Sequence, residues 1–293
     1  LGGDISFTRQ KGLRDGTVPP AGETYPTRAF PETDYMLAGV YLADEIAVGP
    51  LTLYPALRFD AYDLDAQDDP LLPSFAGADQ HGSRVSPKLG AVLALGPVRL
   101  FANYAQGFKA PEPGQVNQFF ENLAYGYTSA PNPDLRPETS ESWEAGIRLL
   151  DDSFRIDVTA FTADYDDFIS QEVVGGSFTP SDPAVYQFIN LDRAKVKGIE
   201  GKFEAWTDNG LTGRFAIAYA QGDSIDPMGA RTPISSIDPL TLVVGAGYRD
   251  PAGMFGVQLV ATHGARKPVA ATTGLCSGGC YRPDAYTVLD ATA

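Results

Sequence analysis

The feature that most constrains this chain is the spacing of its turns. Strand-like segments lie near 34–47, 50–63, 84–95, 98–108, 139–150, 153–173, 186–206, 210–221, 237–249, 253–266 and 284–293, after an opening stretch, Leu1 to Phe7, that reads as the end of a strand. Each is bounded by Gly, Pro, Asn or Asp, residues that supply turn conformations or cannot join a ladder. Short connections at 48–50, 96–97, 150–153, 207–210 and 250–253 alternate with long ones near 64–83, 109–138, 174–185, 222–236 and 267–283. In an up-and-down meander that alternation sends every long loop to one end of the sheet and every tight turn to the other. Residues 8–33, punctuated by Gly12, Gly16, Pro19, Pro20, Gly22, Pro26 and Pro31, read as a further long, irregular loop.

Most segments also alternate in polarity. Phe154, Ile156, Val158 and Ala160 oppose Arg155, Asp157 and Thr159; Ile199, Phe203 and Ala205 oppose Glu200, Lys202 and Glu204; Leu211, Phe215 and Ile217 oppose Thr212 and Arg214. A soluble antiparallel sheet with one wet face gives the same pattern. The loop asymmetry favours a membrane barrel, apolar outside and polar inside, with tight turns at the inner end and long loops outside. A dry core could not leave so many inward polar groups unpaired. An open sheet of about a dozen strands would expose two unpaired edges to lipid, so the chain is expected to be part of a barrel. It opens and stops in what reads as mid-strand, which also suggests a fragment.

Composition agrees with a turn-rich β protein: 31 Gly, 23 Pro and 11% aromatics against only 20% charged residues. No run of 18 apolar residues encodes a spanning helix, and a barrel would leave no such run. The formal charge of −15 argues against a nucleic-acid partner, because a polyanion would be repelled. Cys276 and Cys280, in a Gly-rich segment, are expected to form a small disulfide, since His263 is the one further metal ligand nearby. The acidic run Asp63, Asp65, Asp68 and Asp69 reads as a solvated loop before it reads as a cation cage. No HExxH, GxSxG or phosphate-binding glycine loop is present, so the chain is expected not to be an enzyme.

Two segments carry a specific resemblance. Phe108-Lys109-Ala110-Pro111 and Asn132-Pro133-Asp134-Leu135-Arg136-Pro137-Glu138, followed by Glu141-Ser142-Trp143-Glu144-Ala145-Gly146, resemble the paired motifs of TonB-dependent outer-membrane receptors, the haem and haemoglobin receptor branch in particular. Ala194 to Glu200 and the closing Tyr286 to Asp290 match that branch in type and order. The resemblance implies a 22-stranded barrel filled by a plug. Residues 1–293 would then form one partial barrel domain, with the plug and about three last strands outside this chain. It implies a Gram-negative outer-membrane location and energised uptake of an iron-carrying ligand, haem or a haem protein favoured, a ferric chelate being the alternative. Haem would be cargo, with no integral cofactor. The partners implied are TonB, through the plug, and the lipid of the outer membrane. A siderophore or other nutrient receptor, a passive porin and a barrel-borne adhesin are the other readings.

In the resembled branch the loop between the two motifs supplies a histidine to haem iron. Residues 112–131 contain none, which moves the expected ligand to Tyr125 or Tyr127, since tyrosinate can bind haem iron. Phe119 and Phe120 are the expected apolar neighbours for a flat macrocycle. The competing account is that Phe119 to Tyr127 folds against the base of its own loop or forms a short rim strand. The motif from Asn132 to Glu138 has a plain anchoring role, because Asn132-Pro133 and Arg136-Pro137 bias the backbone toward turn and extended forms. His81 is expected in the 64–83 loop, and His263 is expected to point outward near the membrane interface, in phase with Val257, Leu259 and Ala261.

Overall fold

The computed structural model describes residues 1–19, 24–72, 75–226, 228–234, 237–238, 240–266 and 284–293. Cys276 and Cys280 lie outside them. Twelve strands follow one another in chain order through a single antiparallel sheet. They are β1 Gly2–Gln10, β2 Thr33–Ala43, β3 Leu51–Ala66, β4 Gln80–Leu95, β5 Val98–Lys109, β6 Glu138–Leu150, β7 Phe154–Gly175, β8 Ala184–Trp206, β9 Leu211–Ile225, β10 Thr241–Arg249, β11 Gly256–Gly264 and β12 Tyr286–Thr292. Each pairs with its neighbours in sequence, and β1 and β12 are left as edges, so the sheet is not closed. Among the described residues helix is confined to one loop, as expected: α1 Pro113–Val116 and a 3₁₀ turn at Leu123–Tyr125.

The register builds two chemically distinct faces. Leu100, Ile147, Val158, Gly201, Ile217 and Leu242 sit opposite one another from strand to strand, one residue per strand. The row continues through His263, which therefore faces outward as expected, its Nδ1 2.9 Å from Thr287 Oγ1. One residue along each strand the side chains reverse. Arg155, Glu204 and Arg214 form a row on the other face, and Arg58 donates to Asp60 there at 2.7 Å. These are the lipid and lumen faces of a barrel wall. Gly49 and Gly96 close two of the tight turns with φ of 59° and 62°, a region that glycine enters without a Cβ clash.

Several boundaries move. The expected loop at 174–185 shrinks to residues 176–183, because β7 and β8 are 22 and 23 residues long. That is about twice the length a tilted strand needs to cross a bilayer, so their far ends stand clear of it. Within β7 Asp167 holds a left-handed φ of 58°, and the ladder shifts register farther out, between Val173 and Gly175. β9 runs on to Ile225, and β10 and β11 start later than expected, at Thr241 and Gly256. His81 is not in a loop: it pairs with Asp63 at the start of β4. The 8–33 segment is less irregular than its prolines suggest, since Leu13–Arg14 pairs with Thr27–Arg28.

Candidate functional site

The long connection between β5 and β6 is the site the sequence points to, and the structure builds it as a packed platform. Leu135 (2% exposed), Val116 and Ala110 from this loop join Tyr35, Tyr62, Leu64 and Ile169 in one buried cluster, with Phe108 and Phe188 against it. Phe108 lies 6.1 Å from the Tyr62 ring, and Tyr35 Oη donates to Pro111 O at 3.1 Å. Burying Leu135 or Val116 is worth about 2 kcal/mol each, which is how a loop of this length holds one conformation.

The second motif is tied down residue by residue. Asn132 Oδ1 accepts from Asp134 N at 3.1 Å, an Asx turn, while its Nδ2 donates to Phe188 O at 2.8 Å. Asn190 on β8 accepts from Arg136 N at 2.7 Å and donates to Arg136 O at 2.8 Å. The Arg136 guanidinium pairs with Asp167, whose left-handed backbone aims it there; Arg136 Nε is 3.0 Å from Oδ1. Glu138 accepts from Ile169 N at 3.0 Å and from Lys109 Nζ at 3.4 Å, joining the two motifs. Gln80 Nε2 donates to Pro133 O and Leu135 O at 2.6 and 2.9 Å. Buried Asn117 uses both ends of its amide on Ala78, 2.8 Å to N and 2.9 Å to O. These contacts anchor the motif to the barrel wall. Asn190, Gln80, Asn117 and Asp167 were missed in the sequence. The one legible signal was a lone amide, Asn190, among Phe188, Ile189 and Leu191.

The aromatic run divides. Phe119 meets Phe75 edge-on at 5.4 Å, and Phe120 lies 5.9 Å from Tyr127 and 5.8 Å from Tyr186 of β8. Tyr127–Ser129 adds a short parallel strand to Ala184–Tyr186, and Asn122 Nδ2 donates to Tyr127 Oη at 3.3 Å. Three of the four expected ligand residues are therefore built into the platform. Tyr125 stands apart, 64% exposed on the 3₁₀ turn, beside exposed Leu123. Gly126 follows at φ 71°, where a Cβ would lie 2.6 Å from the Phe178 backbone, so the turn is pressed against the tip of the β7–β8 hairpin.

Of the acidic run, Asp69 is not solvated. Its carboxylate, 2% exposed, is ion-paired with Arg28, Nε lying 2.8 Å away, and accepts from the amides of Leu71 and Glu32 at 3.0 and 3.2 Å. Burial alone would push its pKa up; the two amides and the guanidinium outweigh that and hold it below the usual carboxylate range. Among the described residues no group of three or more His, Cys, Asp or Glu is placed to hold a metal. A cavity of about 860 Å³ lies at the short-turn end of the lumen face, lined by residues including Glu204, Trp206, Arg214, Arg249 and Gln258, far from the aromatic run in the fold.

Comparison with known proteins fits this geometry. The family model described as TonB dependent receptor-like, beta-barrel matches residues 1–293. A hemoglobin and hemoglobin-haptoglobin-binding protein of Haemophilus ducreyi is 27% identical over 227 residues, 67% of this chain and 23% of that protein. The hemoglobin-haptoglobin utilization protein B of Neisseria meningitidis serogroup A is 27% identical over 244 residues, 73% of this chain and 30% of that protein. The chain thus spans less than a third of either relative. The solved structure of the copper transporter OprC superposes with a TM-score of 0.69 at 16% identity, covering 89% of this chain and 40% of that one, a likeness of fold.

Proposed function

This chain belongs to the TonB-dependent receptor β-barrel family, and we propose that it is part of a Gram-negative outer-membrane receptor that takes up an iron-carrying ligand, haem or a haem protein, with energy delivered by TonB. Residues 1–293 contribute barrel wall and external loops; the plug that meets TonB belongs to the rest of the protein. The observation that carries this reading is that one relative named above is a hemoglobin and hemoglobin-haptoglobin-binding protein and the other a hemoglobin-haptoglobin utilization protein, while the family match runs the length of the chain. The reading assigns transport to the site, with haem as cargo.

Within that reading Tyr125 is the iron ligand of choice. Its phenol projects from a turn held by Gly126 and Asn122, whereas the Tyr127 hydroxyl is already engaged by Asn122. Phe120, packed on Tyr127 and Tyr186, and Phe119, packed on Phe75, then serve as scaffold. The test is titration of the full-length receptor with haemin and with haemoglobin, joined to growth on haemoglobin iron with and without TonB. Receptor-dependent growth that needs TonB is expected; growth on ferric siderophores but not haemoglobin would replace the haem reading, and TonB-independent uptake would make the protein a pore. Tyr125→Phe should alter the haem absorption band while Tyr127→Phe leaves it unchanged. An unaltered band in Tyr125→Phe rules out that ligand.

A further inference from the structure

On its lipid face β8 changes character at a single step. Ala205, Phe203, Gly201 and Ile199 point outward through the apolar rows, and the next three outward residues are Lys197, Lys195 and Arg193. They are spaced about 6.6–6.8 Å apart along the strand. The register relates this change to the neighbouring strands. Trp143 lies opposite Tyr104 and Thr162, and Thr162 opposite Lys197, so Lys197 occupies the same row as a Tyr–Trp pair whose rings are 4.5 Å apart. One row farther out the residues are Gln106, Glu141, Asp164, Lys195 and Asp223, none of them large and apolar. Aromatic residues at that position mark the interface between acyl chains and headgroups.

The cations are not equivalent. Lys195 Nζ is 3.0 Å from Asp164, and Arg193 is 3.5 Å from Asp164 and from Asp166; such exposed pairs are weak and can share their protons. Lys197 is exposed and, among the described residues, has no acidic partner; its cross-strand neighbours are Thr162 and Gln221. In a chain of net charge −15 general attraction of anions is disfavoured, so a free ammonium in the interfacial row points to a local anion. Its stem can run outward from the last apolar row, at Ile199, so that the ammonium reaches the headgroup level.

We propose that Lys197, supported by Lys195 and Arg193, binds the phosphate of a phosphorylated lipid headgroup in the external leaflet, with the acyl chains lying on the apolar rows below. The phosphate oxygens accept from the three cations, and the Trp143–Tyr104 pair flanks the headgroup. This rests on the outer-membrane part of the proposed function and is independent of the haem part.

The test uses the full-length receptor and lipid A, a phosphorylated glycolipid, carried in phosphatidylcholine vesicles, with dephosphorylated lipid A as the comparison. Removing one interfacial cation should weaken retention of the phosphorylated lipid about fivefold, so Lys197→Gln is expected to show that loss and the triple R193Q/K195Q/K197Q a larger one. Lys202→Gln, on the lumen face of the same strand, should bind like the parent. Equal retention by parent and triple variant overturns the proposal, as does an equal loss in Lys202→Gln. Competition by millimolar inorganic phosphate would make this a free-anion site and also overturns it. A parent receptor that fails to insert into the vesicles overturns the outer-membrane reading beneath it. Cation-dependent lipid retention without any haem response sinks only the haem reading.

Discussion

Individual side chains of the platform divide into those that hold it and those free to act. Leu135 is nearly sealed in the cluster with Val116 and Ile169, so Leu135→Ala should cost about 2–5 kcal/mol of local stability, read as lowered protease resistance of the 110–137 loop. Asn190→Ala removes the partner of the Arg136 amide and carbonyl, which water can then reach, a loss of about 0.5–1.5 kcal/mol by the same assay. Asp69 gives a pH signature. Its carboxylate is held below its unfolded value, so its contribution is present in full above about pH 4 and is lost as pH falls through the lower folded value. Hydrogen exchange at the Leu71 and Glu32 amides should quicken, relative to the intrinsic rate, as pH drops from 5 toward 3. Asp69→Asn should be flat over that range.

Elements act here in pairs. The β7–β8 hairpin outruns the bilayer, and its far end is the wall on which the β5–β6 loop lies, through the short parallel ladder of Tyr127–Ser129 with Ala184–Tyr186. Gly126 is the hinge of that contact, combining a left-handed φ with a Phe178 backbone at what would be 2.6–2.7 Å from any Cβ. Gly126→Ala should therefore lift the turn off the hairpin at a cost above about 1 kcal/mol. The Ala184 amide, which donates to Gly126 O at 2.9 Å, should lose exchange protection while amides in the membrane rows keep theirs.

For the whole molecule the governing fact is that the same ladder serves two solvents. Ile147 sits in the row with Val158 and Leu100, facing lipid, while Arg148 beside it faces the lumen and pairs with Asp157. Ile147→Arg should destabilise the full-length barrel in lipid by about 2–4 kcal/mol, and Arg148→Ala by about 1 kcal/mol or less. Denaturant unfolding from vesicles measures both. Equal costs would mean that the two faces are not in the solvents assigned to them.

Period-two alternation and the uneven connections settled the strands, their order and their direction before any coordinate, because each follows from local chemistry: side chains reverse at every residue, and Gly, Pro, Asn and Asp stop a ladder where they stand. The outward aim of His263 followed from the same parity. The paired motifs at 108–111 and 132–138 were equally legible, and so was their anchoring role, since proline restricts its own neighbourhood. What anchors them was not. Asn190, Gln80 and Asp167 lie tens of residues from the part of the loop they hold, Asn117 within the loop bonds Ala78 from another segment, and only the fold brings these partners together. Nor could the run from Phe119 to Tyr127 be divided by reading it. Which aromatic is scaffold and which is free depends on Phe75 and Tyr186 arriving from other segments, and contact between residues distant in sequence is a property of the packed chain.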